Sequence, residues 1–168
     1  MTRVTVALSA HVKAEIDEWL TRFPPEQKRS AVIPALSAVQ QENGGHLTVE
    51  LMDAVAAYLE LPPIAVYEVA TFYSMYNHKP VGRYILEFCN NISCLLMGAN
   101  EVIQHCQNRL RVNIGETTAN GRFTVRTVEC LGACVAGPVC QVGDHYHEKL
   151  TPQKLDTLLD TWEETDGQ

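Results

Sequence analysis

The sequence predicts an α+β protein in two parts: an N-terminal helical bundle over residues 1–79 and an α+β domain with a mixed sheet over residues 80–168. Three observations predict this class. The first 88 residues contain four helix patterns and no cysteine. The remainder gives strand, helix, strand, strand and helix patterns in that order. All six cysteines lie between residues 89 and 140, after the turn-like segment Asn77–Gly82 that marks the boundary.

Length and composition limit the possible functions. The 168 residues suffice for one average domain or two small ones, and the 46% apolar and 20% charged residues are typical of a globular protein. A formal charge of −7 disfavours nucleic-acid binding. No apolar run approaches the roughly 20 residues that span a bilayer, and the apolar patch near the N-terminus is too short for a signal peptide. We therefore expect a soluble, cytoplasmic protein.

Four helices are expected in the first part, because apolar residues recur at helical spacing behind capping residues. One is capped by Ser9 and stops before Phe23-Pro24-Pro25, and one over Ala31–Gln41 follows Ser30. Thr48 opens the third, and Pro62-Pro63 closes it and starts a fourth that continues to Tyr76. The bundle core is expected to include an aromatic run in the fourth helix: Tyr67, Phe72, Tyr73 and Tyr76.

The second part alternates between strand and helix patterns. Strands are expected at Arg83–Cys89 and Arg122–Glu129, with a helix over Cys94–Leu110 between them. A hairpin is expected around Gly143-Asp144, followed by a helix that Thr151-Pro152 opens. This order places helices over a mixed sheet and puts each candidate ligand at a strand end or in the loop after it.

The cysteine spacing indicates a metal site. Cys89 and Cys94 are separated by four residues, Cys130 and Cys134 by three, and the two pairs by 35. Pairs separated by a helix and a strand can meet at one end of a sheet and present four thiolates, which suit structural zinc or a [2Fe–2S] cluster. The spacing favours iron–sulfur and leaves zinc possible. Asn90 and Asn91 in the first loop, and Gly132 in the second, allow N–H groups to point at sulfur.

Other candidate ligands have simpler structural explanations. Cys106 shares a helical stripe with Val102 and Leu110, and Cys140 shares a strand face with Val142, so both cysteines are expected in the apolar interior. His145 and His147 could join Cys130 and Cys134 in a zinc set, but two histidines one residue apart are closer in sequence than zinc fingers use. We expect these two histidines to be strand-surface residues.

Two segments carry a family resemblance. Cys-Asn-Asn-Ile-Ser-Cys-Leu-Leu-Met-Gly-Ala at 89–99 and Val-Glu-Cys-Leu-Gly-Ala-Cys at 128–134 resemble the motifs of the thioredoxin-like [2Fe–2S] ferredoxin family. The segment 65–76, Ala-Val-Tyr-Glu-Val-Ala-Thr-Phe-Tyr-Ser-Met-Tyr, is similar to the longer members of that family, which carry an N-terminal helical domain. The resemblance covers about residues 29–162. It implies a thioredoxin-like fold for the second domain and a [2Fe–2S] cluster on Cys89, Cys94, Cys130 and Cys134.

The resemblance also implies a role. The longer members carry electrons in NADH:quinone oxidoreductase, beside the flavoprotein subunit that binds FMN and NADH, in the peripheral arm of an inner-membrane complex. The chain itself has no Gly-x-Gly-x-x-Gly motif, no P-loop and no convincing Ser-His-Asp set, so we expect a redox subunit without its own active site. The alternatives are the equivalent subunit of an NAD-linked hydrogenase or formate dehydrogenase, and a zinc-stabilised interaction domain.

Overall fold

The chain divides into two units between Val81 and Gly82 in a computed structural model, which describes residues 6–165. The first unit is helical and the second combines a sheet with helices. This division falls two residues beyond the boundary expected from the sequence. That the two parts fold independently stays a prediction.

The helical unit contains four α-helices: α1 (Ala10–Leu20), α2 (Val32–Glu42), α3 (Val49–Tyr58) and α4 (Pro63–Phe72). Two of the expected caps are present. Ser9 Oγ accepts a hydrogen bond from the Val12 N–H at 3.1 Å, and Thr48 Oγ1 accepts one from the Leu51 N–H at 3.3 Å. Each satisfies a donor that a helix leaves free in its first turn. The apolar stripes of the helices meet in one core that includes Val12, Ile16, Leu36, Val55, Leu59 and Val66.

Two expectations for this unit are wrong. Ser30 does not cap α2, because it lies in a 3₁₀ turn over Lys28–Ala31 and α2 begins at Val32 without a side-chain cap. The fourth helix stops at Phe72, because the Tyr73 backbone is extended. This turn carries Tyr76 into the core, where its hydroxyl donates to the Ile33 carbonyl at 2.8 Å. Phe72 is left 80% exposed, so only part of the aromatic run is core.

The second unit contains a four-stranded sheet. Its strands are β1 (Tyr84–Cys89), β2 (Phe123–Val128), β3 (Cys140–Val142) and β4 (His145–His147), and its helices are α5 (Ile92–Leu96), α6 (Ala99–Leu110) and α7 (Pro152–Thr165). The strand order is β2-β1-β3-β4. β1 and β2 are parallel, whereas β3 pairs antiparallel with β1 and β4. The predicted α+β class with a mixed sheet is confirmed.

The crossover between the parallel strands differs from expectation in one respect. The sequence predicts a single helix over Cys94–Leu110, but α5 and α6 are separate and meet at Gly98, whose φ is 96°. That angle lies in the left-handed region, which glycine adopts without a side-chain clash. α6 and α7 pack on each other, and α6 packs on β1 and β2. Their shared core includes Leu86, Phe123, Val125, Leu155 and Leu159.

Candidate metal centre

The parallel register of β1 and β2 places the two cysteine loops at the same edge of the sheet. Cys89 ends β1 and pairs in register with Val128, which ends β2 two residues before Cys130. The Asn90 N–H donates to the Val128 carbonyl at 3.1 Å and extends the pairing into the first loop. Because parallel strands point the same way, their following loops leave the sheet side by side.

The first thiol pair, Cys89 and Cys94, is buried. Burial raises the pKa of the Cys89 thiol, but the N–H groups of Asn91 and Leu131 and the Cys94 thiol donate to its sulfur and lower the pKa on balance. Burial and this shared proton raise the pKa of Cys94. The Val139 N–H donates to the Cys94 sulfur, and the Val139 carbonyl accepts from the Cys89 N–H at 3.1 Å. The pair is therefore surrounded by main-chain donors suited to an anionic sulfur.

The second thiol pair, Cys130 and Cys134, is exposed, and its sulfur atoms lie 3.5 Å apart. Gly132 has a φ of 79°, and its N–H donates to the Cys130 sulfur at 3.4 Å. A residue with a Cβ would be strained in this conformation. The neighbouring Cys130 thiol raises the pKa of Cys134, whereas the Ser93 hydroxyl donates to the Cys134 sulfur and opposes that rise.

Contacts between the loops bring the two pairs together. The Leu131 N–H from the second loop reaches Cys89, and the Ser93 hydroxyl from the first loop reaches Cys134. Gly137 closes the site from a third side, because a Cβ there would lie 3.2 Å from Cys94 Sγ. Within residues 6–165, no three His, Cys, Asp or Glu side chains are grouped so as to hold a single metal ion. The site thus offers two adjacent thiol pairs with N–H donors, which is the donor set that a [2Fe–2S] cluster uses.

Comparison with known proteins agrees with this geometry. The family model described as "Thioredoxin-like [2Fe-2S] ferredoxin" matches residues 16–163. The chain belongs to the thioredoxin-like [2Fe–2S] ferredoxin family. The resemblance expected from the cysteine motifs is confirmed, and with it the [2Fe–2S] cluster as the cofactor of the family.

Relatives of this ferredoxin are similar over most of their length. The NADH-quinone oxidoreductase E subunit of Rickettsia felis is 42% identical over 146 residues, which are 87% of each chain. The second such E protein of Rhizobium meliloti is 43% identical over 151 residues, 90% of this chain and 88% of that one. A crystal structure of an NAD⁺-reducing [NiFe]-hydrogenase matches with a TM-score of 0.66 and 21% identity over 76% of this chain. This chain covers 22% of the hydrogenase chain, and the likeness concerns the fold alone.

The remaining two cysteines of the ferredoxin lie in the apolar interior, as the sequence indicated. Cys106 on α6 and Cys140 on β3 are both buried members of the core of the second unit. Burial raises the pKa of Cys106 to about 12, and Asp156 adds to that rise. Burial also raises the pKa of Cys140 well above its usual range. Thiols held protonated in this way are poor metal ligands, because the thiolate is the ligand form.

The two candidate histidines lie on β4, as expected. His145 is exposed and His147 is half-buried. The His147 ring contacts the Trp162 ring edge-on, with 5.3 Å between centroids. Burial lowers the pKa of His147, and the neighbouring His145 adds to the effect. The packing of His147 against α7 gives it a structural role.

Several residues of the site carry no signal that sequence patterns alone would detect. The contribution of Ser93 to the Cys134 sulfur is one, and the approach of Gly137 and Val139 to the first pair is another. The side chain of Asn91 does not point at sulfur, because it caps α5 and binds Glu129 instead. The strand patterns contain a signal for the Val139 contact, since an antiparallel β3 beside β1 leads its preceding residues to the same edge.

Exposed apolar side chains flank the cysteines. We call the following five residues the apolar rim: Ile92, Leu95, Leu96, Met97 and Val135. Leu96 is 84% exposed and Val135 is 94% exposed. The rim residues lie beside Cys94 on α5 or directly after Cys134 in the chain. Contiguous exposed apolar groups of this kind are typical of interaction sites.

Proposed function

We propose that this ferredoxin is the one-electron carrier subunit of an NADH:quinone oxidoreductase, with its [2Fe–2S] cluster held by Cys89, Cys94, Cys130 and Cys134. The observation that carries the proposal is the meeting of two thiol pairs at one sheet edge, each with main-chain N–H groups aimed at sulfur. The near full-length similarity to NADH-quinone oxidoreductase E subunits supports the choice of enzyme.

Each loop has its own part in holding the cluster. Cys89 and Cys94 would bind one iron and Cys130 and Cys134 the other, because each short loop can wrap around only one metal. The N–H groups of Asn91, Leu131, Gly132 and Val139 would donate to the ligating sulfurs and stabilise their negative charge. When bound, the cluster supplies reversible one-electron chemistry. The chain needs no further catalytic group for that role, and hydride chemistry would belong to the partner.

The proposed partner is the flavoprotein subunit that binds FMN and NADH. The apolar rim supports docking at the cluster, because it surrounds the thiols with side chains that lose water when a protein covers them. The exposed Phe72 and Met75 give the helical unit an apolar surface of its own, which suits the docking role proposed for residues 1–79. We further propose that residues 80–168 form the independently folding cluster domain.

Location follows from the same assignment. None of the helices within residues 6–165 has the length and apolarity to cross a bilayer. The chain would therefore sit in the peripheral arm of the inner-membrane complex and reach the membrane through its partners. The hydrogenase and formate dehydrogenase alternatives share the module, but the relatives at 42% and 43% identity favour the quinone-linked enzyme.

Electron transfer from NADH tests this proposal. The full-length protein is reconstituted with iron and sulfide and mixed with NADH, with or without the flavoprotein subunit of a bacterial NADH:quinone oxidoreductase. We expect a rhombic, spin-one-half EPR signal only when both NADH and the flavoprotein are present. Absence of that signal, from a cluster that dithionite does reduce, would contradict the assignment.

Variants of the rim locate the docking surface. Leu96→Asp and Val135→Asp each put a charge among the exposed apolar side chains and should weaken binding to the flavoprotein at least tenfold. Ile114→Asp is the matched control, because Ile114 is a 39% exposed apolar residue in the α6–β2 connection. Equal weakening by all three variants would show that charge, and not the rim, determines binding.

A further inference from the structure

A side-chain bridge connects the two cysteine loops. Asn91 follows Cys89 by two residues, and Glu129 directly precedes Cys130. Asn91 Nδ2 donates to Glu129 Oε2 at 3.0 Å, while Asn91 Oδ1 accepts from the Ile92 N–H at 3.0 Å. The Ile92 N–H fixes which end of the amide carries the oxygen, so the NH₂ group is directed at the carboxylate. The bridge thus fixes the position of the Glu129 carboxylate.

This carboxylate lies beside a proposed cluster ligand. The negative charge of Glu129 acts on the Cys89 sulfur and opposes its ionisation, although the N–H groups of Asn91 and Leu131 outweigh that effect. The same main-chain segments therefore hold the sulfur and the carboxylate, since Asn91 gives its N–H to the first and its side-chain NH₂ to the second. Glu129 is the first carboxylate whose field the cluster would meet.

No cation compensates this charge. Among residues 6–165, the hydrogen-bond partner of the Glu129 carboxylate is the neutral amide of Asn91, and Glu129 forms no ion pair with Lys, Arg or His. The carboxylate of Glu87 on β1, in contrast, pairs with Arg126. A neutral partner holds a carboxylate in place but leaves its field intact.

We propose that Glu129, held by Asn91, is a positioning residue that lowers the reduction potential of the cluster. The inference rests on the proposed function, which places the cluster on the four cysteines. Reduction brings one electron from the donor into an already anionic centre, with no bond made or broken in the chain. A fixed negative charge beside Cys89 makes that added electron less favourable, so it shifts the equilibrium toward the oxidised form.

The test is a potentiometric titration of the reconstituted full-length protein, monitored by EPR, with iron and sulfide contents measured on the same samples. Glu129→Gln removes the charge and keeps an oxygen that accepts from Asn91, so its midpoint potential should rise. Glu129→Asp keeps the charge and should remain closer to the wild type. Glu116→Gln is the matched control, because Glu116 also accepts from an asparagine side chain, Asn113 Nδ2 at 3.1 Å, in the loop between α6 and β2. Its midpoint should not move.

Salt provides a second readout that a purely structural role would not move. Glu129 is exposed, so added salt should screen its field and reduce the difference between Glu129→Gln and the wild type. A midpoint in Glu129→Gln equal to that of the wild type, with intact iron and sulfide, would overturn the inference. So would equal rises in Glu129→Gln and Glu116→Gln.

A third variant covers poor assembly of Glu129→Gln. Asn91→Ala keeps the carboxylate and removes the group that holds it, so the midpoint should rise by part of the same shift. An unchanged midpoint in Asn91→Ala would then overturn the inference. Failure of the wild type itself to bind a [2Fe–2S] cluster would instead refute the proposed function.

Discussion

The six cysteines should differ in reactivity by several orders of magnitude in the metal-free protein. Alkylation by iodoacetamide requires the thiolate. Since burial raises the pKa of Cys106 to about 12, on the order of one molecule in 10⁴ carries this thiolate at pH 8. An unperturbed thiol of pKa about 8.5 is about a quarter ionised at that pH. Ionisation alone therefore slows Cys106 roughly a thousandfold, and its complete burial slows it further.

The assay follows each thiol by peptide mass spectrometry during a labelling time course at pH 8. Cys130 and Cys134 should react first because they are exposed, and the buried Cys89 and Cys94 should follow. Cys106 and Cys140 should react last. In the cluster-loaded protein the four proposed ligands should become protected, while labelling of Cys106 and Cys140 stays as slow as before.

Two results would refute this reasoning. Labelling of Cys106 or Cys140 at the rate of Cys134 in the folded protein would show that burial does not control their reactivity. Fast labelling of any proposed ligand in the fully loaded protein would remove that residue from the cluster site. Labelling in denaturant is the control, because all six thiols should then react at similar rates.

Three further predictions concern the domain boundary, the site and the helical unit. A chain beginning at Pro80 should still bind one cluster on reconstitution, and loss of iron binding would show that the two halves share one core. Gly137→Ala should lower the iron content per folded chain, because its Cβ would lie 3.2 Å from Cys94 Sγ; unchanged iron content would contradict that contact. Thr48→Ala should lower the free energy of unfolding in urea by about 1 kcal/mol through loss of the α3 cap. Ser30→Ala is its control and should change that free energy by about 0.5 kcal/mol or less, because Ser30 caps no helix.

Local signals are sufficient to predict most of the elements. Ser9 and Thr48 cap helices where the sequence indicates, and the alternating apolar residues of β2 predict its position to within a residue at each end. These features depend on side chains within one turn or one strand, so the chemistry that forms them is visible in the sequence. The order of the elements then predicts a mixed sheet.

The errors arise where packing decides the conformation. The periodicity across Cys94–Leu110 is compatible with one helix, and only the left-handed backbone at Gly98 separates α5 from α6. The aromatic residues near the end of α4 fit a helical stripe, but burial of Tyr76 with its hydroxyl bonded to Ile33 requires the chain to leave the helix at Tyr73. Tertiary contacts of this kind override local propensity.

The candidate site can be predicted in its thiols but not in its surroundings. The spacing of Cys89, Cys94, Cys130 and Cys134 reflects a two-loop arrangement that the parallel register of β1 and β2 then brings together. The donors to sulfur from the opposite loop, Leu131 and Ser93, depend on how the loops pack across the edge. That packing links residues far apart in the chain, and no local pattern records it.

Replacement of each cysteine by alanine tests the central claim most directly. Iron, acid-labile sulfide and the EPR signal after dithionite reduction are measured for six single variants of the full-length protein. Cluster loss is expected for Cys89, Cys94, Cys130 and Cys134, whereas Cys106→Ala and Cys140→Ala should keep the cluster and lose roughly 1 kcal/mol of stability from packing. Loss of the cluster in Cys140→Ala, with retention in Cys134→Ala, would contradict the ligand assignment.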